Sequence, residues 1–188
     1  MIASVFFNFL GCRMKKMFVL DIDQTLVDSS IRENECWHRD VLDLDKYLNL
    51  KSEGIVYDTL LPLGYWLESN AEKYDFILCT ARQFEYIDFD SLYALMPNTL
   101  NNALQIMCRN NSLDYGGNTC ESSDHYKRPL LNWVKANYNH ELIVIDDCPK
   151  VLQVARESGY KAVCARDLWH SSQQDIGWII ENVIFLTR

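Results

Sequence analysis

Four short apolar runs in this chain each hand over to side chains suited to phosphate or metal, and that repeated junction restricts the fold more than any other feature. Met17 to Ile22 (MFVLDI) carries Asp21 and leads to Asp23. Phe76 to Cys79 (FILC) leads to Thr80 and Arg82, Ala103 to Cys108 (ALQIMC) to Arg109, and Leu142 to Ile145 (LIVI) to Asp146 and Asp147. A short, unbroken apolar run suits a strand buried on both faces, as in parallel sheets. Parallel neighbours need crossovers, usually helices. The sequence offers Leu60 to Lys73, with Leu60, Leu63, Leu67 and Ala71 on one face and Pro62 in its first turn. It also offers Leu130 to Tyr138, with Pro129 near its start, and Pro149 to Ser158, closed by Gly159. Lys161 to Ala165 is a last short strand. The expected fold is α/β, a doubly wound parallel sheet that binds its ligand beyond the carboxyl ends of the strands.

Composition narrows the classes. The chain has 188 residues, enough for one domain with its own core. A net charge of −8 argues against extensive wrapping of nucleic acid, which needs many cationic contacts. It leaves recognition of a strand end open. No apolar run approaches the roughly 20 residues that span a bilayer. The seven cysteines contain no Cys-x-x-Cys pair, and Cys79, Cys108 and Cys164 end apolar runs. They read as reduced thiols in a cytoplasmic protein. The four histidines show no ligand spacing. Residues 1–16 are expected to be an N-terminal extension, because the charges of Arg13, Lys15 and Lys16 follow the apolar stretch rather than precede it. Residues 17–188 are expected to form a single domain.

Asp-x-Asp occurs three times, at Asp21/Asp23, Asp43/Asp45 and Asp88/Asp90. The last two fall in helical or irregular stretches and are expected to be solvated. The first follows a buried strand and is completed by Thr25. With Thr80 ending one strand, Lys127 further on and Asp146-Asp147 ending another, the pattern resembles the haloacid dehalogenase (HAD) superfamily of phosphatases. Gln24 stands where that family commonly has Gly. The resemblance implies a Rossmann-like fold and the following roles. Asp21 is the nucleophile, and Asp23 protonates the leaving oxygen and then deprotonates water. Thr80 and Lys127 hold the phosphoryl group. Asp21, Asp146, Asp147 and the backbone carbonyl of Asp23 hold Mg²⁺. The chemistry suits these residue types, because an anion attacking a phosphate ester needs cations to spread the developing charge.

A closer likeness covers roughly residues 57 to 170. Thr80-Ala81-Arg82, Gln105 to Arg109, Asp124-x-x-Lys127 and Trp133 resemble the 3′-phosphatase domain of bacteriophage polynucleotide kinase/phosphatase. The Asp58-Thr59 and Pro62 region resembles it too. No phosphate-loop kinase motif is present. This likeness implies that Thr25, Arg82 and Arg109 bind substrate. It also implies that the chain removes 3′-phosphate, or opens 2′,3′-cyclic phosphate, at the ends of DNA or RNA. The alternative is a 5′(3′)-deoxyribonucleotidase acting on nucleoside monophosphates, and a non-catalytic end-binding module is a third reading. Residues 29–56 are read as at most a small cap, whose Trp37, His38, Tyr47 and neighbouring Tyr57 pack as core or stack on a base. His125, near Lys127, is read as a partly exposed loop residue.

Overall fold

The computed structural model describes residues 16–31, 34, 37–38, 41–42, 57–117 and 122–186. Residues 1–15 of the expected 1–16 extension, Asp43, Asp45, Tyr47 and most of the 29–56 insertion lie outside the described residues, and Lys16 belongs to the first strand. Five strands form one parallel sheet: β1 (Lys16–Leu20), β6 (Asp75–Cys79), β7 (Gln105–Met107), β8 (Glu141–Asp146) and β9 (Lys161–Cys164). Their order is β7-β6-β1-β8-β9. The chain winds outward from β1 in one direction, returns to its other edge as β8, and winds outward again. The crevice over β1 and β8 is therefore the switch point at which such sheets bind ligands. Two short antiparallel pairs lie apart from this sheet, β2 (Val27–Asp28) with β5 (Thr59–Leu60) and β3 (Trp37–His38) with β4 (Val41–Leu42).

Side-chain alternation explains the layers. On β1, Met17 and Val19 face one core, and Phe18 and Leu20 face the other. The first core is completed by α4 (Ser123–Asn137) and α5 (Pro149–Glu157). The second is completed by α1 (Pro62–Asn70), α2 (Tyr86–Leu95), α3 (Pro97–Asn102) and α6 (Gln173–Leu186). All four apolar side chains of β1 are buried, each worth roughly 1.5–3 kcal/mol relative to exposure. Gly64 on α1 is forced by packing, since a Cβ there would collide with the carbonyl of Leu26 in the turn after Asp23. Gly159, at φ 83°, ends α5 in the left-handed conformation expected of it, with Tyr160 N donating to Ala155 O.

Three elements differ from their sequence reading. The helix expected at Leu130 begins at Ser123, so Pro129 lies inside α4, and His125 is an exposed helical residue instead of a loop residue. Proline marks a first turn most often, and inside α4 Pro129 has no N–H to give to the carbonyl of His125 one turn earlier. The helix from Leu60 begins at Pro62 and tightens into a 3₁₀ turn over Ala71–Lys73. Tyr57, expected in the core, is 60% exposed. Among the described residues no helix is long and apolar enough to cross a membrane. Cys79 and Cys108 are buried free thiols, and Cys148 and Cys164 are half-buried ones. Burial pushes the Cys79 thiol up to about 12, so it packs rather than reacts.

Candidate active site

The register of two strands assembles the centre of the crevice. Leu20 pairs with Ile145, and the next step of the ladder is the bond from Asp21 N to Ile145 O at 3.0 Å. Asp21 and Asp146 are thus neighbours, and alternation turns both toward the face that α4 covers. On α4 the buried positions are Tyr126, Lys127, Leu130, Leu131 and Val134, so Lys127 sits within an apolar stripe. Its ammonium lies 2.9 Å from Asp21 Oδ1 and 2.7 Å from Asp146 Oδ2. Asp146 Oδ1 accepts a bond from Cys148 N at 2.9 Å, which uses its second oxygen.

Burial sets the electrostatics. It raises the Asp21 carboxyl to about 8, against the pull of Lys127 and with Asp146 and Asp23 adding to the rise. Burial works against the charge of Lys127 too, but Asp146 and Asp21 overcome it and hold the lysine well above its ordinary value. Asp147 is raised by burial, with Arg166 opposing. One lysine therefore faces more carboxylate charge than it neutralises. Carboxylate oxygens of Asp21, Asp146 and Asp147 lie within 4.8 Å of one another. Asp21 Oδ1 is buried and finds no well-angled hydrogen bond among the described residues, although Lys127 is close. An all-oxygen donor set with excess negative charge and an unsatisfied buried acceptor fits a small hard divalent cation.

Behind this cluster stands a second one. Arg82 grips Asp23 fork to fork, Nε to Oδ2 at 2.7 Å and Nη2 to Oδ1 at 2.6 Å. Nη2 also bonds Asp58 Oδ2 at 3.0 Å, and Nη1 lies 3.6 Å from Asp88 Oδ1. The Arg82 side chain is 1% exposed. Arg82 is expected from sequence to clamp a substrate phosphate; here its planar fork is engaged by the half-buried Asp23 and the buried Asp58. Asp88 corrects the expectation of a solvated Asp-x-Asp face. It is fully buried and its Oδ2 also accepts from Glu85 N at 2.9 Å, closing the capping box of α2. Asp90 is exposed.

Thr80, at the end of β6, is buried, and its Oγ1 accepts from Arg82 N at 3.1 Å. Thr25 is buried, and among the described residues its Oγ1 has no hydrogen-bond partner. Arg109 is half-buried, with Nε donating to Ala81 O at 2.7 Å and its guanidinium 4.8 Å over the Tyr126 ring. Sequence reasoning missed Asp58, Asp88, Arg166 and Trp169 as neighbours of the site. Asp58 carried a signal in the Asp58-Thr59 likeness, and Asp88 as an acidic residue three positions after Glu85 at a helix start.

A parallel sheet with carboxylates at the switch point, a buried lysine beside them and helices on both faces is a HAD-like Rossmann fold. Solved structures share it. A haloacid dehalogenase-like hydrolase of Streptococcus pneumoniae matches with TM-score 0.56 and 18% identity over 80% of this chain and 84% of its own. A haloacid dehalogenase-like protein of Agrobacterium tumefaciens matches with TM-score 0.60 and 13% identity over 90% and 99%. A HAD-hydrolase of Bacillus subtilis, solved bound to magnesium, matches with TM-score 0.54 and 13% identity over 80% and 87%. The chain belongs to the Bacteriophage T5 5′-deoxynucleotidase family, whose profile matches residues 9–184. No curated protein matches it.

Proposed function

We propose that the chain is a metal-dependent phosphatase of deoxynucleoside 5′-monophosphates. The observation that carries the chemistry is Asp21, buried at the switch point with its oxygen against Lys127 and the Asp146–Asp147 pair. The family to which the chain belongs supports the substrate. Asp21 attacks phosphorus, forming an aspartyl-phosphate as the bond to the nucleoside oxygen breaks. Asp23 donates a proton to that oxygen, then takes one from the water that hydrolyses the intermediate. Arg82 holds Asp23 in place throughout. Lys127 and Thr80 stabilise the transferring group, and Thr25 and Arg109 bind substrate. Asp21, Asp146, Asp147 and the Asp23 carbonyl would hold Mg²⁺, which supplies positive charge to the phosphoryl oxygens.

Removal of 3′-phosphate from polynucleotide ends uses the same chemistry and stands second, because the Arg82 clamp that favoured it is occupied. Phosphate release from deoxynucleoside 5′-monophosphates, 3′-monophosphates and a 3′-phosphorylated oligonucleotide separates the two. We expect the 5′-monophosphate to exceed the oligonucleotide by about 100-fold in kcat/KM, a discrimination that polar contacts to a substrate can supply. EDTA should abolish release. The reverse order of substrates would establish the 3′-end reading, and release that survives EDTA would overturn the metal assignment.

The raised Asp21 also gives a pH signature. A carboxyl whose folded value lies above its unfolded 3.8 contributes stability below 3.8, and that contribution is lost as pH rises through about 8. A cation binds the ionised form and reverses the loss. The rise in thermal midpoint on adding Mg²⁺ should therefore be larger at about pH 9 than at about pH 6. A shift that is equal at both would contradict the burial of an ionisable Asp21.

A further inference from the structure

Two side chains that follow β9 reach back to both carboxylate loops. Arg166 Nη2 donates to Asp147 Oδ2 at 2.9 Å, and Trp169 Nε1 donates to the backbone carbonyl of Gln24 at 3.0 Å. The two are joined, with the Arg166 guanidinium 5.7 Å over the Trp169 ring. They sit on and just after the 3₁₀ turn Ala165–Leu168, whose Ala165 and Leu168 are buried in the core shared with β1. This is a firm base from which to hold two loops.

The point of attachment matters. Gln24 has φ 55°, and among the described residues it alone has positive φ without being glycine. That conformation is strained for any residue with a Cβ. It persists only where the surroundings hold it. Gln24 N donates to Val27 O at 2.7 Å on one side of the residue, and Trp169 holds the carbonyl on the other. The first bond holds the peptide that joins Asp23 to Gln24 and the second the peptide that joins Gln24 to Thr25, so the Gln24 backbone is held at both ends.

We propose that Arg166 and Trp169 are positioning residues, a strap that fixes the Asp23–Gln24 turn and Asp147 relative to each other and thereby sets the affinity of the crevice for a divalent cation. The proposal rests on the cation site inferred under the proposed function. Arg166 orients Asp147 through one oxygen and leaves the other to a ligand. Trp169 supplies the hold that a glycine at position 24 would not need.

The test is Mg²⁺ binding to the purified full chain by calorimetry, without substrate, repeated with Mn²⁺ by electron paramagnetic resonance. Trp169→Phe removes the N–H and keeps the ring, and Arg166→Gln removes the charge. Each should weaken Mg²⁺ binding by about 10-fold, the lower range for partners of metal ligands. Arg166→Lys should recover part of the loss, and Gln24→Gly should recover part of the Trp169→Phe loss. If wild type binds Mg²⁺ and both variants bind it equally well, the strap is overturned and the site reading stands. Tighter binding by Arg166→Gln would also overturn it, by showing that the arginine competes with the cation. Losses from Gln24→Gly and Trp169→Phe that simply add would overturn it as well. Wild type that binds neither cation would overturn the site reading and the strap together.

Discussion

Asp21→Asn should leave a folded chain whose turnover is lower by about 10⁴-fold or more. The amide has nearly the shape of the carboxylate and no nucleophilic oxygen. The expectation for stability is less obvious. Burial holds the Asp21 carboxyl up to about 8, so at neutral pH the metal-free fold takes up a proton that the unfolded chain does not hold, which lowers its stability. Replacing the carboxyl by an amide removes that cost and should leave the thermal midpoint of the metal-free chain at or above wild type, while the stabilisation conferred by Mg²⁺ shrinks. Initial-rate kinetics with calorimetry on the same preparations reads both. Turnover within about tenfold of wild type would remove Asp21 from the nucleophile's role.

Lys127→Met should produce the largest loss of stability. The ammonium is 3% exposed and stands between Asp21 and Asp146, whose side chains are 11% and 2% exposed. Breaking a buried ion pair on one side strands charge in a poor solvent, at about 3–5 kcal/mol. For a domain of this size, that is a fall in thermal midpoint of about 10 °C. Urea unfolding of Lys127→Met, Asp21→Asn and the double variant measures it. The double variant should lose less than the sum, because Asn leaves one carboxylate fewer to strand. A loss below about 1 kcal/mol in Lys127→Met would show that water reaches the cluster and that the site is open rather than sealed.

The strands were legible because each is an unbroken apolar run, and the site because each run stops at a polar residue. Lys127 could be found only through the order of motifs, since spacing alone does not say that a lysine will enter an apolar stripe. What failed was pairing. Arg82 was read as facing a phosphate, yet its partners Asp23, Asp58 and Asp88 come from three separate segments. Nothing in a linear pattern joins positions 23, 58, 82 and 88. The linear pattern places Asp88 on the surface, whereas the capping box at the start of α2 hides its carboxylate. Arg166 and Trp169 lie beyond the last strand in a stretch with no periodicity. Their role comes from a turn that folds back over the crevice.

The strand order has a consequence for synthesis. β1 is made first and gains β6 along one edge some fifty residues later, but its other partner, β8, begins at Glu141. Domains emerge from the ribosome amino-end first, and an unpaired strand edge invites association with other chains. Until β8 arrives, the central strand of the nascent chain has a bare side, and Asp21 has neither Lys127 settled nor Asp146 beside it. A ribosome stalled before Glu141 would thus carry a chain with three of the five sheet strands and without Asp146 and Asp147. Whatever shields that edge in the growing chain governs the yield of active protein.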